Sequence, residues 1–218
     1  MKIFVLAITM LLATKSWGQT ALHKKFSNQT CECLVTVPNC TFDSVSSCME
    51  KSMNASLSDM QAYVLQSGKG ATYKTGKILG EKMTEQAFVN MVETCDVFYH
   101  LADTARYEDF KGADADTIKV VLDLLVAAIP KQPSGEYYAK RGTMYMMAFD
   151  YAAAASDFGN CYKLDKTLVN YLYLKALAEE ALKQYDEATL TYGILIPKSP
   201  QPAYKMSLAI VKRKKSGR

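Results

Sequence analysis

The sequence predicts an all-α protein in two parts: a disulfide-braced N-terminal helical domain, then a short array of helical hairpins with capping helices. Three observations support this fold class. Apolar residues recur at helical spacing along most of the chain, five of the six cysteines lie before Leu101, and small and aromatic residues of the C-terminal third recur at one fixed spacing. The hydrophobic fraction of 49% is enough for buried cores, which excludes a disordered chain.

The predicted organisation has five segments. They are a signal peptide (1–18), a cysteine-containing helical domain (19–105), a linker with a capping helix (106–134), two hairpin repeats (135–200), and a C-terminal capping helix with a basic tail (201–218). The first segment has Lys2 at its start, an apolar run, and Ser16-Trp17-Gly18 as a small-residue cleavage pattern, which is typical of a secretory signal. We therefore expect an exported protein, periplasmic or extracellular, without an integral membrane segment.

The N-terminal domain is predicted to hold helices over 26–35, 44–53 and 59–66, and a long helix from about Ala71 to Ala102. In an oxidising compartment its clustered cysteines favour disulfides between short helices. Cys31 and Cys33 point in different directions on a helix, so each reaches a different partner, for which Cys48 and Cys95 are the natural candidates. The connectivity stays open. Cys161 is expected to be a buried thiol, and a further cysteine is either free or paired with it.

The C-terminal third repeats its small and large residues at the spacing that separates Gly142 from Ala176, which we call the repeat period. The first copy has Tyr138, Gly142, Tyr145, Ala154, Phe158, Cys161 and Lys166, and the second has Leu172, Ala176, Glu179, Ala188, Tyr192, Leu195 and Pro200. Antiparallel helices approach closely where one presents Gly or Ala, and large residues fill the gaps beside them. This pattern resembles the tetratricopeptide repeat family over about residues 135–200. The second copy is degenerate, because Glu179 stands where the family has an aromatic and Lys175 where it has Leu.

The resemblance implies a groove, lined by the first helix of each hairpin, that binds a peptide or protein partner. Carried over by position, the groove residues are Ala139, Thr143, Met146, Met147, Tyr173, Leu177 and Glu180. Packing of these residues against the N-terminal domain is the alternative. Helices over Ala115–Pro130 and Ala203–Lys214 are expected to cap the array, which needs covered ends.

The N-terminal part is similar to uncharacterised exported helical domains of Gram-negative bacteria through C-E-C-L, C-M-E-K and G-K-I-L-G-E-K, which implies no function. The formal net charge of the chain, +4, is concentrated in a basic tail that ends at Arg218, expected to be a solvated helix end. The sequence predicts neither catalytic residues nor a metal site nor a cofactor, because His23 and His100 stand at no ligand spacing. Nucleic-acid binding is not expected either, since basic residues are not interleaved with exposed aromatics.

We therefore expect a binding scaffold and not an enzyme. Two alternatives stay open. The first is a thiol/disulfide redox protein that uses the N-terminal cysteines, although Cys31-Glu32-Cys33 is not a C-x-x-C motif and Glu32 disfavours a thiolate. The second is a self-assembling structural component of the envelope.

Overall fold

A computed structural model describes residues 21–66 and 73–217 of the chain. The predicted signal peptide (1–18) and the predicted start of the long helix near residue 71 lie outside the described residues. The described segments contain helices and no strand, which confirms the all-α prediction. The chain divides into two compact units, one up to Ala102 and one from Asp103, and each is described by itself.

The first unit holds α1 (residues 21–35), α2 (Phe42–Ala55), α3 (Leu57–Gln66), α4 (Tyr73–Thr94) and most of α5 (Asp96–Ala105). The predicted helices are present, but the long one is interrupted at Cys95, so its prediction as a single helix was wrong. The Cys95 N–H still donates to the Met91 carbonyl at 2.8 Å, and its carbonyl accepts from the Tyr99 N–H at 2.9 Å. The four-residue spacing of helical hydrogen bonds therefore continues across the break. Because the apolar residues keep this spacing too, the sequence pattern does not reveal the break.

Two disulfides brace this unit, as the fold class predicts. Cys31 on α1 bonds to Cys95 at the α4–α5 break, and Cys33 on α1 bonds to Cys48 on α2, with Cα–Cα distances of 5.8 and 5.6 Å. Around them lie fully buried side chains such as Leu34. Cross-links of this kind stabilise small helical units whose cores are modest.

The second unit begins with the end of α5 and a 3-10 turn (Glu108–Phe110). Its further helices are α6 (Ala115–Ala128), α7 (Gly135–Met147), α8 (Tyr151–Leu164), α9 (Tyr171–Ala181), α10 (Tyr185–Lys198) and α11 (Pro202–Lys215). Consecutive helices from α6 to α11 pack on one another. Both predicted capping helices are therefore present, as α6 and α11. The helices α6, α7 and α8 begin with N-cap residues whose side chains accept hydrogen bonds from first-turn backbone N–H groups. These residues are Asp114, Ser134 and Asp150, and they satisfy N–H groups that have no acceptor within the helix.

The hairpins α7–α8 and α9–α10 repeat in backbone geometry at the same period as in sequence. The bounds of α8 shifted by one repeat period are those of α10. Each hairpin turns through a residue in the left-handed region, Phe149 with φ 60° and Lys183 with φ 61°. The following N–H closes the turn on an equivalent carbonyl, Asp150 on Tyr145 at 2.9 Å and Gln184 on Glu179 at 2.8 Å. The repeated sequence positions therefore correspond to repeated structure.

Candidate functional site

The predicted groove residues lie on α7 and α9, but most are not accessible. Ala139, Met146, Leu177 and Glu180 are buried, and Thr143, Met147 and Tyr173 are partly exposed. The buried members belong to the interior of the second unit, so a partner can reach the predicted groove only through the other three.

Part of the chain itself covers the groove side of α7 and α9. Phe110, at the end of the 3-10 turn, is buried in one cluster with Met146 and Leu177, and Tyr107 packs against this cluster. The Tyr107 hydroxyl donates a hydrogen bond to the Leu177 carbonyl at 3.2 Å. The segment between α5 and α6, which the sequence predicts as linker, thus occupies a surface that the repeat pattern assigns to a partner.

A buried ion-pair network holds this segment in place. Arg106 donates through Nη1 to Oε2 of Glu180 at 2.8 Å and through Nη2 to Oε1 at 2.6 Å, and Nη2 also reaches Asp103. Lys214 donates to both carboxylates, at 2.8 Å each. The side chain of Arg106 is 4% exposed and that of Glu180 is fully buried. Two cations thus balance two carboxylates in an interior where an unpaired charge is costly.

The pKa shifts agree with a closed, structural network. Burial by itself would lower the pKa of Arg106, but the hydrogen bond and charge of Glu180 outweigh it and raise the pKa. The same balance of burial against Glu180 and Asp103 raises the pKa of Lys214. Burial raises the pKa of Tyr107, with the Glu180 charge adding to it. Arg106, Lys214 and Tyr107 therefore keep their ordinary protonation states at neutral pH.

The network also corrects the interpretation of the basic tail. The sequence predicts a solvated helix end, yet Lys214 is paired inside the second unit with its side chain 22% exposed. Lys212 and Lys215 are exposed, and Lys215 pairs with Asp186 on α10. The cation on the inner side of α11 therefore has a structural partner, because the helix end packs beside Glu180 instead of fraying into solvent.

Each hairpin contains one further buried charge arrangement. In the first, Arg141 on α7 donates to both oxygens of Asp157 on α8 at 2.7 Å. The positions one repeat period later hold Lys175 and Thr191, and there the acid is Glu179 on α9, which accepts from the Thr191 hydroxyl at 2.7 Å and pairs with Lys175. The carboxylate thus lies on the second helix of the first hairpin, α8, but on the first helix of the second hairpin, α9. Glu179 and Lys175, the two departures noted in the second copy, thus neutralise one another.

The three partly exposed groove residues also contact other residues of the second unit. The Thr143 hydroxyl donates to the Ala139 carbonyl at 3.0 Å, and Met147 borders the cluster around Phe110. The Tyr173 ring lies 5.1 Å from that of Tyr204, and burial raises its pKa. These three side chains form the accessible part of the predicted groove.

The four candidate cysteines are all in disulfides, so neither Cys31 nor Cys33 is a thiol in this structure. Cys40 and Cys161 are free. Cys161 is fully buried and burial raises its pKa to about 11, which suits a compact apolar side chain and not a nucleophile. The alternative in which Cys161 pairs with another cysteine is thereby contradicted.

Across the described part of the chain, no three side chains of metal-binding type lie close enough together to hold an ion. Within the same residues, no helix has both the length and the apolarity needed to cross a membrane. No protein-family model matches the chain, and it has no significant match among curated proteins or solved structures.

Proposed function

We propose that this is an exported protein-protein interaction protein that binds a peptide or protein partner through tetratricopeptide-like helical hairpins. The observation that carries the proposal is the repetition, one repeat period apart, of the bounds of α8 in α10, of the left-handed turn position and of the closing hydrogen bond in the two hairpins. Hairpin arrays of this kind bind partners along the surfaces that stacking leaves open. Export is supported by the signal-like N-terminus and by the two disulfides, which persist in oxidising compartments.

The partner site proposed here is the accessible part of the groove, with Thr143, Met147 and Tyr173. Methionine adapts its shape to different partners, and tyrosine supplies contact area at a low cost in side-chain entropy. A glutamate in place of Met147 or Tyr173 would bring a charge into this contact, so each variant is expected to lose partner capture.

The test is cross-linking in cells followed by identification of the partners, repeated for Met147→Glu and Tyr173→Glu. Leu190→Glu is the matched control, because Leu190 is exposed on α10 and is not part of the groove. Circular dichroism must show unchanged helicity for every variant. A partner set that is the same for the groove variants and the wild type would reject the groove as the binding site.

A further inference from the structure

Three buried polar atoms of the second unit have no hydrogen-bond partner among the described residues. They are Nε of Arg106, the hydroxyl oxygen of Tyr192 on α10 and the hydroxyl oxygen of Ser207 on α11. The Arg106 side chain is 4% exposed, and Tyr192 and Ser207 are at most 1% exposed. Buried polar groups in folded proteins are nearly always hydrogen-bonded, so each of these atoms requires a partner.

The three residues belong to one polar interior beside the groove residue Tyr173. Burial raises the pKa of Tyr192, and the positive charge of Arg106 and the Ser207 hydroxyl act in the opposite direction. Burial likewise raises the pKa of Tyr173 against the same two groups, and the Tyr173 ring lies 6.3 Å from that of Tyr192. The Ser207 hydroxyl is therefore near both phenols, yet it forms no hydrogen bond with either. A further group is needed to connect them.

The hydrogen-bonding capacity of the three atoms restricts the chemistry of this group. Arg106 Nε carries a proton and only donates, so the group must offer an acceptor. The hydroxyls of Tyr192 and Ser207 can each donate or accept. A ligand that accepts from Arg106 can therefore bond to both hydroxyls in either direction.

The charges of this interior indicate a neutral ligand. Arg106 and Lys214 already balance the carboxylates of Glu180 and Asp103. An additional ion would be a buried charge without a counter-ion, which is costly. The ligand is therefore uncharged.

The packing restricts the ligand to the smallest size. Ile210 and Val211, about one turn after Ser207 on α11, are fully buried, and so is Leu195, about one turn after Tyr192 on α10. Interiors packed in this way leave few voids larger than a water molecule. Water has two lone pairs and two protons, and a buried water typically makes about three hydrogen bonds to groups that otherwise have no partner.

We propose that the second unit binds an internal water molecule beside Tyr173. The water accepts a hydrogen bond from Arg106 Nε and bonds to the hydroxyls of Tyr192 and Ser207. It thereby joins the segment after α5 to α10 and α11 and fixes the polar surroundings of Tyr173. This inference concerns the interior that supports the groove and does not rest on the proposed function.

A crystal structure of the oxidised mature chain, at a resolution that shows ordered water, tests the proposal directly. We expect a solvent peak within about 3.2 Å of Arg106 Nε and of at least one of the two hydroxyls. Direct hydrogen bonding of Tyr192 to Ser207 with no solvent peak overturns the proposal. An anomalous peak at this position in crystals soaked in bromide also overturns it, because the ligand is then an anion.

Variants test whether the two hydroxyls hold the water. Tyr192→Phe and Ser207→Ala each remove one partner with little change in shape, so the double variant leaves the water only Arg106. We expect the solvent peak to be lost in the double variant and to persist in Tyr185→Phe, the matched control, which removes the hydroxyl of a partly exposed tyrosine at the start of α10. Circular dichroism checks that each variant is folded. A peak that persists in both variants, or is lost in both, overturns the proposal.

Discussion

Gly142 allows the most direct test of how the first hairpin is packed. It lies on α7 opposite the fully buried Phe158 ring, and a methyl group at this position would meet ring atoms at 2.9, 3.0 and 3.1 Å. These distances are shorter than ordinary contact, and an aromatic ring inside a packed core has little room to retreat. We therefore expect Gly142→Ala to force the two helices apart or to tilt the ring.

The magnitude follows from a comparison with Gly193 on α10, where nothing lies within 4 Å of the added methyl. Both changes gain the helix propensity of alanine over glycine, about 0.8–1.0 kcal/mol. Only Gly142→Ala has the cost of overpacking, about 1–3 kcal/mol. Gly193→Ala should stabilise the chain, whereas Gly142→Ala should be neutral or destabilising, and Gly142→Leu should cost more than the alanine variant.

The assay is urea unfolding followed by far-ultraviolet circular dichroism on the oxidised chain. Because the chain has two compact units, the free energies are compared through the transition that Gly193→Ala moves, which reports the second unit. The difference between the two alanine variants is expected to be about 1–3 kcal/mol. Equal stabilisation by both variants would show that Gly142 does not lie at a close helix crossing.

Three further predictions concern buried charge, alkaline pH and thiols. Arg106→Met should lower the free energy of unfolding by about 3–5 kcal/mol, since it removes one of the two cations that pair with the buried Glu180 and leaves Lys214 to balance both carboxylates. Lys111→Met, at an exposed pair, should cost less than about 1 kcal/mol, and similar urea midpoints for the two variants would contradict the burial. Burial raises the pKa of Tyr192, so its contribution to stability is complete below about pH 10 and declines as the pH rises further, because only the unfolded chain ionises there. Tyr192→Phe should therefore reduce the alkaline loss of stability by about 1.4 kcal/mol per pH unit, measured by urea unfolding from about pH 9 to 12, and an unchanged slope would refute this. Without reductant, a thiol reagent should modify Cys40 in the folded chain and Cys161 only after unfolding; additional reactive thiols in the folded chain would instead favour the redox alternative.

The hairpins were predictable from sequence because their determinants are local. A small residue such as Gly142 or Ala176 and a large one such as Phe158 or Tyr192 fix a helix crossing within a single hairpin, and their recurrence reveals the period.

The content of the groove was not predictable, because it depends on contacts between distant parts of the sequence. Arg106 and Glu180 are far apart along the chain, and nothing in the surroundings of Arg106 marks it as buried. The resemblance placed Glu180 in the predicted groove, but a repeat pattern cannot indicate that an arginine of the same chain already pairs with it. The break at Cys95 was not predicted for another reason, because the helical spacing continues through it.

The different position of the carboxylate keeps one buried ion pair within each hairpin. Arg141 finds its counter-ion on α8, and Lys175 finds its own on α9. Exchange of a whole hairpin would therefore keep Arg141 or Lys175 beside its own carboxylate, although loss of α9 would also take Glu180 away from Arg106 and Lys214. A recombination point between the two helices of a hairpin would disturb this pairing: α7 joined to α10 would set Arg141 opposite Thr191, and α9 joined to α8 would add Asp157 to a site that already holds Glu179. For the pairing of Arg141 and of Lys175, the unit that evolution or an engineer can exchange is thus the complete hairpin, not the single helix.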